Sequence, residues 1–274
     1  MGRRVAVAAL VAVCAGLAVV RPVGAGADSR SVTAPVATAV PTTVAGAAVF
    51  EPVEFFTDLF TWVGGDPPNR GNLDQRLEPG SPADAFVNYL FGFATARLDS
   101  RPGPLQPFTV TESTTPVVGE PAVDVCTEGF CDQFSGFAVA EGRLQTFMLN
   151  GLPIDDRLGL PTKPKVAGLV SVGVVGAFER VTVDQLAIVL VVIPAGEEVR
   201  VDWDNVRYAD PNRGDVSVDL AASAFPAVVE PVGAQTVVLQ FPAAALGGEV
   251  VLDFTTPSSP SPVEARVTVD ELRP

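Results

Sequence analysis

Alternating apolar and polar residues are the dominant pattern in the second half of the chain. Residues 263–269 show it most clearly, because Val263, Ala265, Val267 and Val269 are separated by polar residues. A period of two places such apolar side chains on one face of a β-strand. Seven segments are predicted as strands: residues 166–178, 181–193, 199–207, 216–220, 236–241, 249–254 and 263–269. Seven short strands over about 105 residues are typical of an immunoglobulin-like antiparallel β-sandwich.

Two of these segments carry further information. Residues 186–193 are apolar without a break, which predicts a strand buried on both faces. In the third segment Val199, Val201 and Trp203 share one face. We therefore expect Trp203 in the core and Asp202 on the solvent face of the same strand.

One helix is predicted in the first half of the chain. Ser81 is a good N-cap, Pro82 suits the first helical position and Asp84 favours the first turn. The helix runs to about Leu98. Two stripes follow its length: Phe86, Leu90, Phe93 and Arg97 on one, and Val87, Phe91, Ala94 and Leu98 on the other. An apolar face this wide implies a helix that is covered on two sides.

Four strands are predicted after this helix, in residues 108–112, 122–126, 134–140 and 143–149. Glu141-Gly142 and Asn150-Gly151 supply the residues that tight hairpin turns require. With the aromatic-rich segment that starts at Phe50, these elements predict a small α+β unit over residues 50–160. The predicted fold class is mainly β, with this unit followed by the immunoglobulin-like sandwich.

Residues 161–164 contain two prolines and separate the two patterns. The sequence predicts a domain boundary here, with the sandwich occupying residues 165–274. Because the segment has little apolar content, we expect few contacts to cross it and the sandwich to fold alone.

The N-terminal segment has the three parts of an export signal. Arg3 and Arg4 precede an uncharged apolar run, and Ala25-Gly26-Ala27 offers small residues for a signal peptidase. The sequence predicts a signal peptide over residues 1–27, cleaved between Ala27 and Asp28; a retained anchor is the alternative. Residues 28–49, rich in Thr, Ala, Val and Pro, are predicted to be a flexible tether. The mature chain is thus expected to lack a membrane span and to be secreted or to stay at the cell envelope.

Three segments of the second half carry a resemblance to a known family. Residues 186–193, 237–241 and 250–254 resemble the telokin-like, immunoglobulin-like domains of secreted actinobacterial proteins. The resemblance implies a non-catalytic module on the export side. It transfers no functional residue to this chain.

Composition excludes several kinds of chemistry. The chain has no histidine, which removes Ser-His-Asp and Cys-His nucleophile systems and histidine zinc sites. The net charge of −14 argues against nucleic acid as a partner, because an acidic surface repels phosphate. No cofactor is expected, and no catalytic residue is assigned.

Cys126 and Cys131 are the two cysteines that remain after signal cleavage. In an oxidising compartment they are expected to pair as a disulfide. A metal site is the alternative, but two thiolates without histidine supply half a tetrahedral shell at best.

One cluster of oxygen ligands is dense enough to suggest a cation: Asp202, Asp204, Asp210, Asn212 and Asp215. Ca²⁺ requires six to eight oxygens, and the spacing does not match an EF-hand loop. A solvated turn is the favoured interpretation. The tripeptide at 213–215 spells the integrin-binding motif and is likewise interpreted as a turn.

Three functions follow from these patterns. The favoured one is an exported, non-catalytic binding or scaffolding protein with an unknown protein or envelope component as partner. The first alternative is a small-molecule binder, which an apolar cavity beneath Phe86, Tyr89 and Phe93 would favour. The second alternative is a hydrolase, which requires two carboxylates facing each other across a cleft.

Overall fold

A computed structural model describes residues 50–271, apart from residues 66–67, 101–106, 119–120, 128–129, 181–182 and 232. The predicted signal peptide, its cleavage site at Ala27 and Asp28, and the tether lie outside the described residues. Antiparallel sheets dominate the described part, and both α-helices precede them in the chain. The predicted fold class is therefore confirmed.

The two helices are α1 (Pro52–Val63) and α2 (Pro82–Ser100). Helix α1 buries one aromatic-rich face, in which Phe55, Phe56 and Leu59 are fully buried. The predicted cap of α2 is confirmed, because the backbone N–H of Asp84 donates to Ser81 Oγ at 3.2 Å.

The first sheet is an antiparallel meander in the order β1-β2-β3-β4-β5. Its strands are β1 (Thr109–Glu112), β2 (Ala122–Thr127), β3 (Phe130–Ala140), β4 (Arg143–Leu149) and β5 (Leu152–Pro153). Both predicted turns join its strands. Glu141 and Gly142 have φ of 52° and 80°, and Asn150 and Gly151 have φ of 55° and 77°. Consecutive positive φ values are what two-residue hairpin turns require.

Ten further strands build the sandwich: β6 (Leu158–Gly159), β7 (Lys165–Ala167), β8 (Val170–Arg180), β9 (Gln185–Pro194), β10 (Arg200–Val201), β11 (Arg207–Asp210), β12 (Gly214–Ser217), β13 (Gln235–Pro242), β14 (Glu249–Thr256) and β15 (Ser259–Thr268). One sheet has the order β8-β9-β13, with β6 and β7 along the other side of β8. The facing sheet has the order β15-β14-β11-β12, with β10 beside β14. This arrangement of two antiparallel sheets around one core is that of an immunoglobulin-like sandwich.

Two predicted strands are interrupted. Residues 166–178 are not one strand, because a turn with Gly168 at φ 57° separates β7 from β8. Residues 199–207 are also not one strand, because a 3₁₀ turn at Trp203–Asn205 separates β10 from β11. Trp203 is nevertheless buried, with 8% of its surface exposed.

Helix α2 lies between the first sheet and the outer face of β8, β9 and β13. Strand β9 shows this directly, because Ile188 and Leu190 pack between the two sheets of the sandwich while Ala187 and Val189 pack in the core that contains α2. The prediction that residues 186–193 are buried on both faces is confirmed for most of the segment; Ile193, near its end, is 37% exposed.

The expectation that few contacts cross residues 161–164 is wrong. Strand β6, which precedes this segment, pairs with β8, and α2 covers the sheet that β8 begins. The described residues belong to one compact unit. Independent folding of residues 165–274 stays a prediction.

Candidate functional site

A pocket of about 390 Å³ lies where α1, α2, the first sheet and β8 meet. Most of its lining is apolar: Phe60, Val63, Phe86, Leu90, Phe93, Ala94, Phe108, Phe134, Leu149 and Phe178. Five side chains bring polar groups to it: Tyr89, Arg97, Thr127, Asp132 and Arg180. The volume and the mixture match those of small-molecule sites, which are mainly apolar with a few placed polar groups.

Helix α2 supplies one wall through its 3.6-residue period. Tyr89, Phe93 and Arg97 are spaced by four residues and so follow one stripe of the helix. The ring centroids of Tyr89 and Phe93 lie 6.0 Å apart. The guanidinium carbon of Arg97 lies 5.4 Å from the centroid of the Phe93 ring. Along this stripe, two aromatic rings are thus followed by a positively charged guanidinium group.

Strand β8 supplies the facing wall. Phe178 and Arg180 are two residues apart, so both point to the face of the sheet that α2 covers. The Tyr89 and Phe178 ring centroids lie 5.6 Å apart across this contact. Gly176 makes the close approach possible, since a Cβ at this position would lie 3.3 Å from the Cα of Tyr89.

The hairpin of β2 and β3 forms a third wall and carries the disulfide. Cys126 and Cys131 are directly opposite each other and are bonded, as predicted from the sequence. Their neighbours Thr127 and Asp132 line the pocket. Asp132 Oδ1 accepts a hydrogen bond from Asn150 Nδ2 at 2.7 Å, so one of its oxygens is already engaged.

Tyr89 and Arg180 determine much of the electrostatics of the pocket. Burial raises the pKa of the Tyr89 hydroxyl, although nearby Arg180 and Arg97 act in the opposite direction. The hydroxyl is therefore a neutral hydrogen-bond donor at pH 7. Within the part of the chain that the structure describes, no carboxylate forms an ion pair with Arg180. Arg97, Arg180 and Asp132 are the charged residues among the described residues of the lining.

A second groove, of about 330 Å³, lies between α1 and β1. It shares Phe60 and Phe108 with the pocket, and these ring centroids lie 4.8 Å apart. Its remaining lining is Thr57, Thr61, Gly64, Pro107 and Val110. With no charged side chain among its described lining residues, the groove offers less for recognition than the pocket does.

The oxygen-rich residues of the β11–β12 hairpin form hydrogen bonds and an ion pair with other residues of the protein. Asp210 Oδ1 accepts hydrogen bonds from the backbone N–H of Asn212 and Arg213, and Oδ2 accepts one from Ala245. Burial disfavours the charge of Asp210, but these backbone donors outweigh burial and lower the pKa of its carboxyl. Asp215 forms an ion pair with Arg207 at 3.3 Å. Gly214 opens β12, which places the tripeptide at 213–215 at the end of this hairpin.

The other two candidate ligands belong to the 3₁₀ turn. Asp202 Oδ2 accepts a hydrogen bond from Asn205 Nδ2 at 2.7 Å, and Asp204 is exposed. Across the described residues, no group of three or more Cys, Asp or Glu side chains is arranged to hold a metal ion. The structure therefore does not bring Asp202, Asp204, Asp210, Asn212 and Asp215 together as a ligand set.

A cavity beneath Phe86, Tyr89 and Phe93 is the observation that would favour the small-molecule alternative, and all three residues line this pocket. Phe178 and Arg180 also line it, and neither was expected here, because both are far from α2 in sequence. The uninterrupted apolar run at 186–193 was the available signal, since it indicated that something covers the outer face of this sheet.

Comparisons of this chain with known protein families, with curated proteins and with solved structures find no match. None of the helices in the described residues is long and apolar enough to cross a membrane.

Proposed function

We propose that this chain is an exported, non-catalytic protein that binds a small apolar molecule in the pocket beneath α2. The pocket itself is the observation that carries this proposal. It lies beneath the residues whose cavity would favour the small-molecule alternative, and aromatic rings make up much of its described lining.

The lining suits binding through burial of apolar surface. Phe86 packs edge-on against Phe147 and Phe178, with ring centroids 5.2 Å apart in each case. Such rings are held by their neighbours, so a ligand would meet a surface that needs little reordering. Each 100 Å² of apolar surface removed from water contributes about 2.5 kcal/mol before the cost of association.

The same lining gives little support to hydrolysis. Two carboxylates flank the scissile bond in most glycoside hydrolases. Asp132 is the one carboxylate among the described residues of this pocket, and it already accepts a hydrogen bond from Asn150. A binding role accounts for the pocket without a second acid.

The proposed location outside the cytoplasm rests on the N-terminal segment and the disulfide. Disulfides persist mainly in oxidising compartments. Export predicts that N-terminal sequencing of protein recovered from the native host will begin at Asp28. A product that starts at Met1 would overturn the proposed processing.

Fluorescence titration with N-phenyl-1-naphthylamine tests the binding proposal. This uncharged dye brightens in apolar surroundings, and we expect saturable binding to one site. Leu90→Trp should abolish it, because Leu90 is half-buried and lines the pocket. Leu152→Trp is the matched control, since Leu152 is 42% exposed and lies outside the pocket lining.

The proposal fails if the dye does not bind with saturation. It also fails if Leu90→Trp, with an unchanged circular dichroism spectrum, binds the dye as the wild type does.

A further inference from the structure

Tyr89 brings a hydroxyl group to the aromatic part of the pocket. Its ring lies among three others, because the ring centroids of Phe178, Phe93 and Phe86 are 5.6, 6.0 and 6.3 Å away. Its backbone lies directly on β8, where Gly176 leaves room for it. The neighbouring groups therefore hold the Tyr89 side chain in place, and the hydroxyl at its end has a defined position.

The Tyr89 hydroxyl has no hydrogen-bond partner among the described residues, although only 4% of the surface of this residue is exposed. Buried tyrosine hydroxyls usually have a partner. Two side-chain atoms of the described residues, Arg70 Nε and Ser135 Oγ, are both enclosed and unpartnered, and the Tyr89 hydroxyl is not one of these enclosed atoms. The hydroxyl is therefore open to the pocket that Tyr89 lines.

Tyr208, the other tyrosine of the chain, shows the usual arrangement. Its hydroxyl lies in the core of the sandwich and accepts a hydrogen bond from the backbone N–H of Gly248 at 2.8 Å. Burial raises the pKa of both tyrosines, so both hydroxyls are protonated at neutral pH. The two residues thus differ in where the partner of the hydroxyl comes from: Tyr208 has one in the protein, whereas Tyr89 faces a cavity.

The group that complements the Tyr89 hydroxyl is a hydrogen-bond acceptor, because a protonated phenol has a proton to donate. Arg180 acts electrostatically on the same hydroxyl, and a guanidinium likewise offers donors and no acceptor. A carbonyl oxygen accepts such hydrogen bonds and brings no charge into a lining that is mainly aromatic.

We propose that the pocket takes an apolar carbonyl compound, and that Tyr89 selects this compound by donating a hydrogen bond to its carbonyl oxygen. The apolar body of the ligand lies against the rings of Phe86, Phe93 and Phe178. This inference rests on the proposed function, because it names the chemical class of molecule that the same pocket takes.

Displacement of N-phenyl-1-naphthylamine by 2-acetonaphthone and by 2-isopropenylnaphthalene tests the inference. The two probes have the same planar shape and the same number of non-hydrogen atoms, and they differ in whether the side group carries an oxygen or a methylene. The affinity for the dye is measured first for each protein. The ratio of the two probe affinities is then compared between the wild type and Tyr89→Phe, because this comparison cancels the difference in hydration of the probes. We expect the preference for the ketone to be about fivefold greater in the wild type, the effect of one net hydrogen bond.

Tyr208→Phe is the matched control, since it removes the other tyrosine hydroxyl and Tyr208 does not line the pocket. This variant should keep the wild-type ratio at a temperature at which circular dichroism shows that it is folded. Thermal melting without ligand separates the two hydroxyls. Tyr89→Phe should melt at or above the wild-type temperature, because no protein partner is lost. Tyr208→Phe should melt at a lower temperature, because the N–H of Gly248 loses its acceptor.

Each result supports or overturns the inference. If the ratio is the same in the wild type and in Tyr89→Phe, or if Tyr208→Phe changes it as much, the inference is wrong while the proposed apolar site stands. A lower melting temperature of Tyr89→Phe would show that a group of the protein already holds the hydroxyl, and the inference would again be wrong. If the dye does not bind to the wild type, the proposed function fails with it.

Discussion

Gly92 is the point at which the packing of α2 on the sandwich can be tested most sharply. A Cβ at this position would lie 2.7 Å from Cγ1 of Val189 and 3.3 Å from Cγ1 of Val175. The first distance is shorter than real contacts allow, and valine has little χ1 freedom with which to move away. Gly92→Ala therefore tests whether α2 lies directly on β9.

Two opposing effects determine the magnitude. Replacing glycine by alanine within a helix stabilises it by about 1 kcal/mol. Inserting a methyl group into a filled core costs about 1–3 kcal/mol. Because the overlap falls on the buried side chain of Val189, we expect overpacking to win and the free energy of unfolding to fall by about 1 kcal/mol.

A double-mutant cycle separates the two effects. Val189→Ala removes the methyl groups that the new Cβ would strike, so in this background Gly92→Ala should become stabilising. The expected coupling is about 2 kcal/mol. Val191→Ala is the control, because Val191 follows Val189 by two residues on β9, and so shares its face, but is not among the atoms nearest to Gly92. Its combination with Gly92→Ala should be additive.

Urea unfolding followed by circular dichroism measures each free energy. If Gly92→Ala stabilises the otherwise wild-type protein by about 1 kcal/mol, as at an exposed helical site, then α2 does not lie on β9 and the position of the pocket is wrong as well.

Further predictions concern single side chains. Burial raises the pKa of both tyrosines, Tyr89 and Tyr208, above the unfolded value of about 10. Stability should thus be complete below about pH 10 and fall above it, and an absorbance titration in which either tyrosine ionises near pH 10 while the chain stays folded would contradict this. Trp203→Ala should cost about 3–5 kcal/mol, because Trp203 stacks on a neighbouring ring at 4.5 Å and donates a hydrogen bond from Nε1. Asp202→Ala, an exposed neighbour, should change stability by less than about 0.5 kcal/mol in the same thermal melts, and the reverse order would disprove the assigned burial. Cys126→Ser should cost about 2 kcal/mol, since the closed loop is short, and global unfolding would show that the disulfide does more than hold the hairpin.

Local patterns predicted most of the elements correctly. Ser81 marked the start of α2, and the alternation in residues 263–269 placed Ala265, Val267 and Val269 in the core. Both signals act within a few residues of chain, where capping and periodicity are decided. The break at Trp203 was missed because 3₁₀ geometry can keep an alternating side chain buried without continuing the strand.

The assembly of the elements was predicted less well. The width of the apolar face of α2 and the apolar run at 186–193 each indicated a covered surface, and the structure shows that they cover each other. Neither segment shows by its own sequence that the other packs against it, because matching two apolar faces requires knowledge of the topology. Gly92 and Gly176 are the local sequence signal of this contact, since each lacks a side chain where the helix and the sheet meet. Arg180 was missed for the same reason, because its role depends on which element covers the end of β8.

Intermolecular nuclear Overhauser effects between N-phenyl-1-naphthylamine and protein labelled with ¹³C at phenylalanine test the central claim most directly. The claim is that the pocket beneath α2 receives the apolar part of a ligand. It predicts contacts from the dye to the rings of Phe86, Phe93 and Phe178, and the loss of these contacts in Leu90→Trp. Contacts confined to an exposed ring such as that of Phe130, which is 45% exposed, would contradict it.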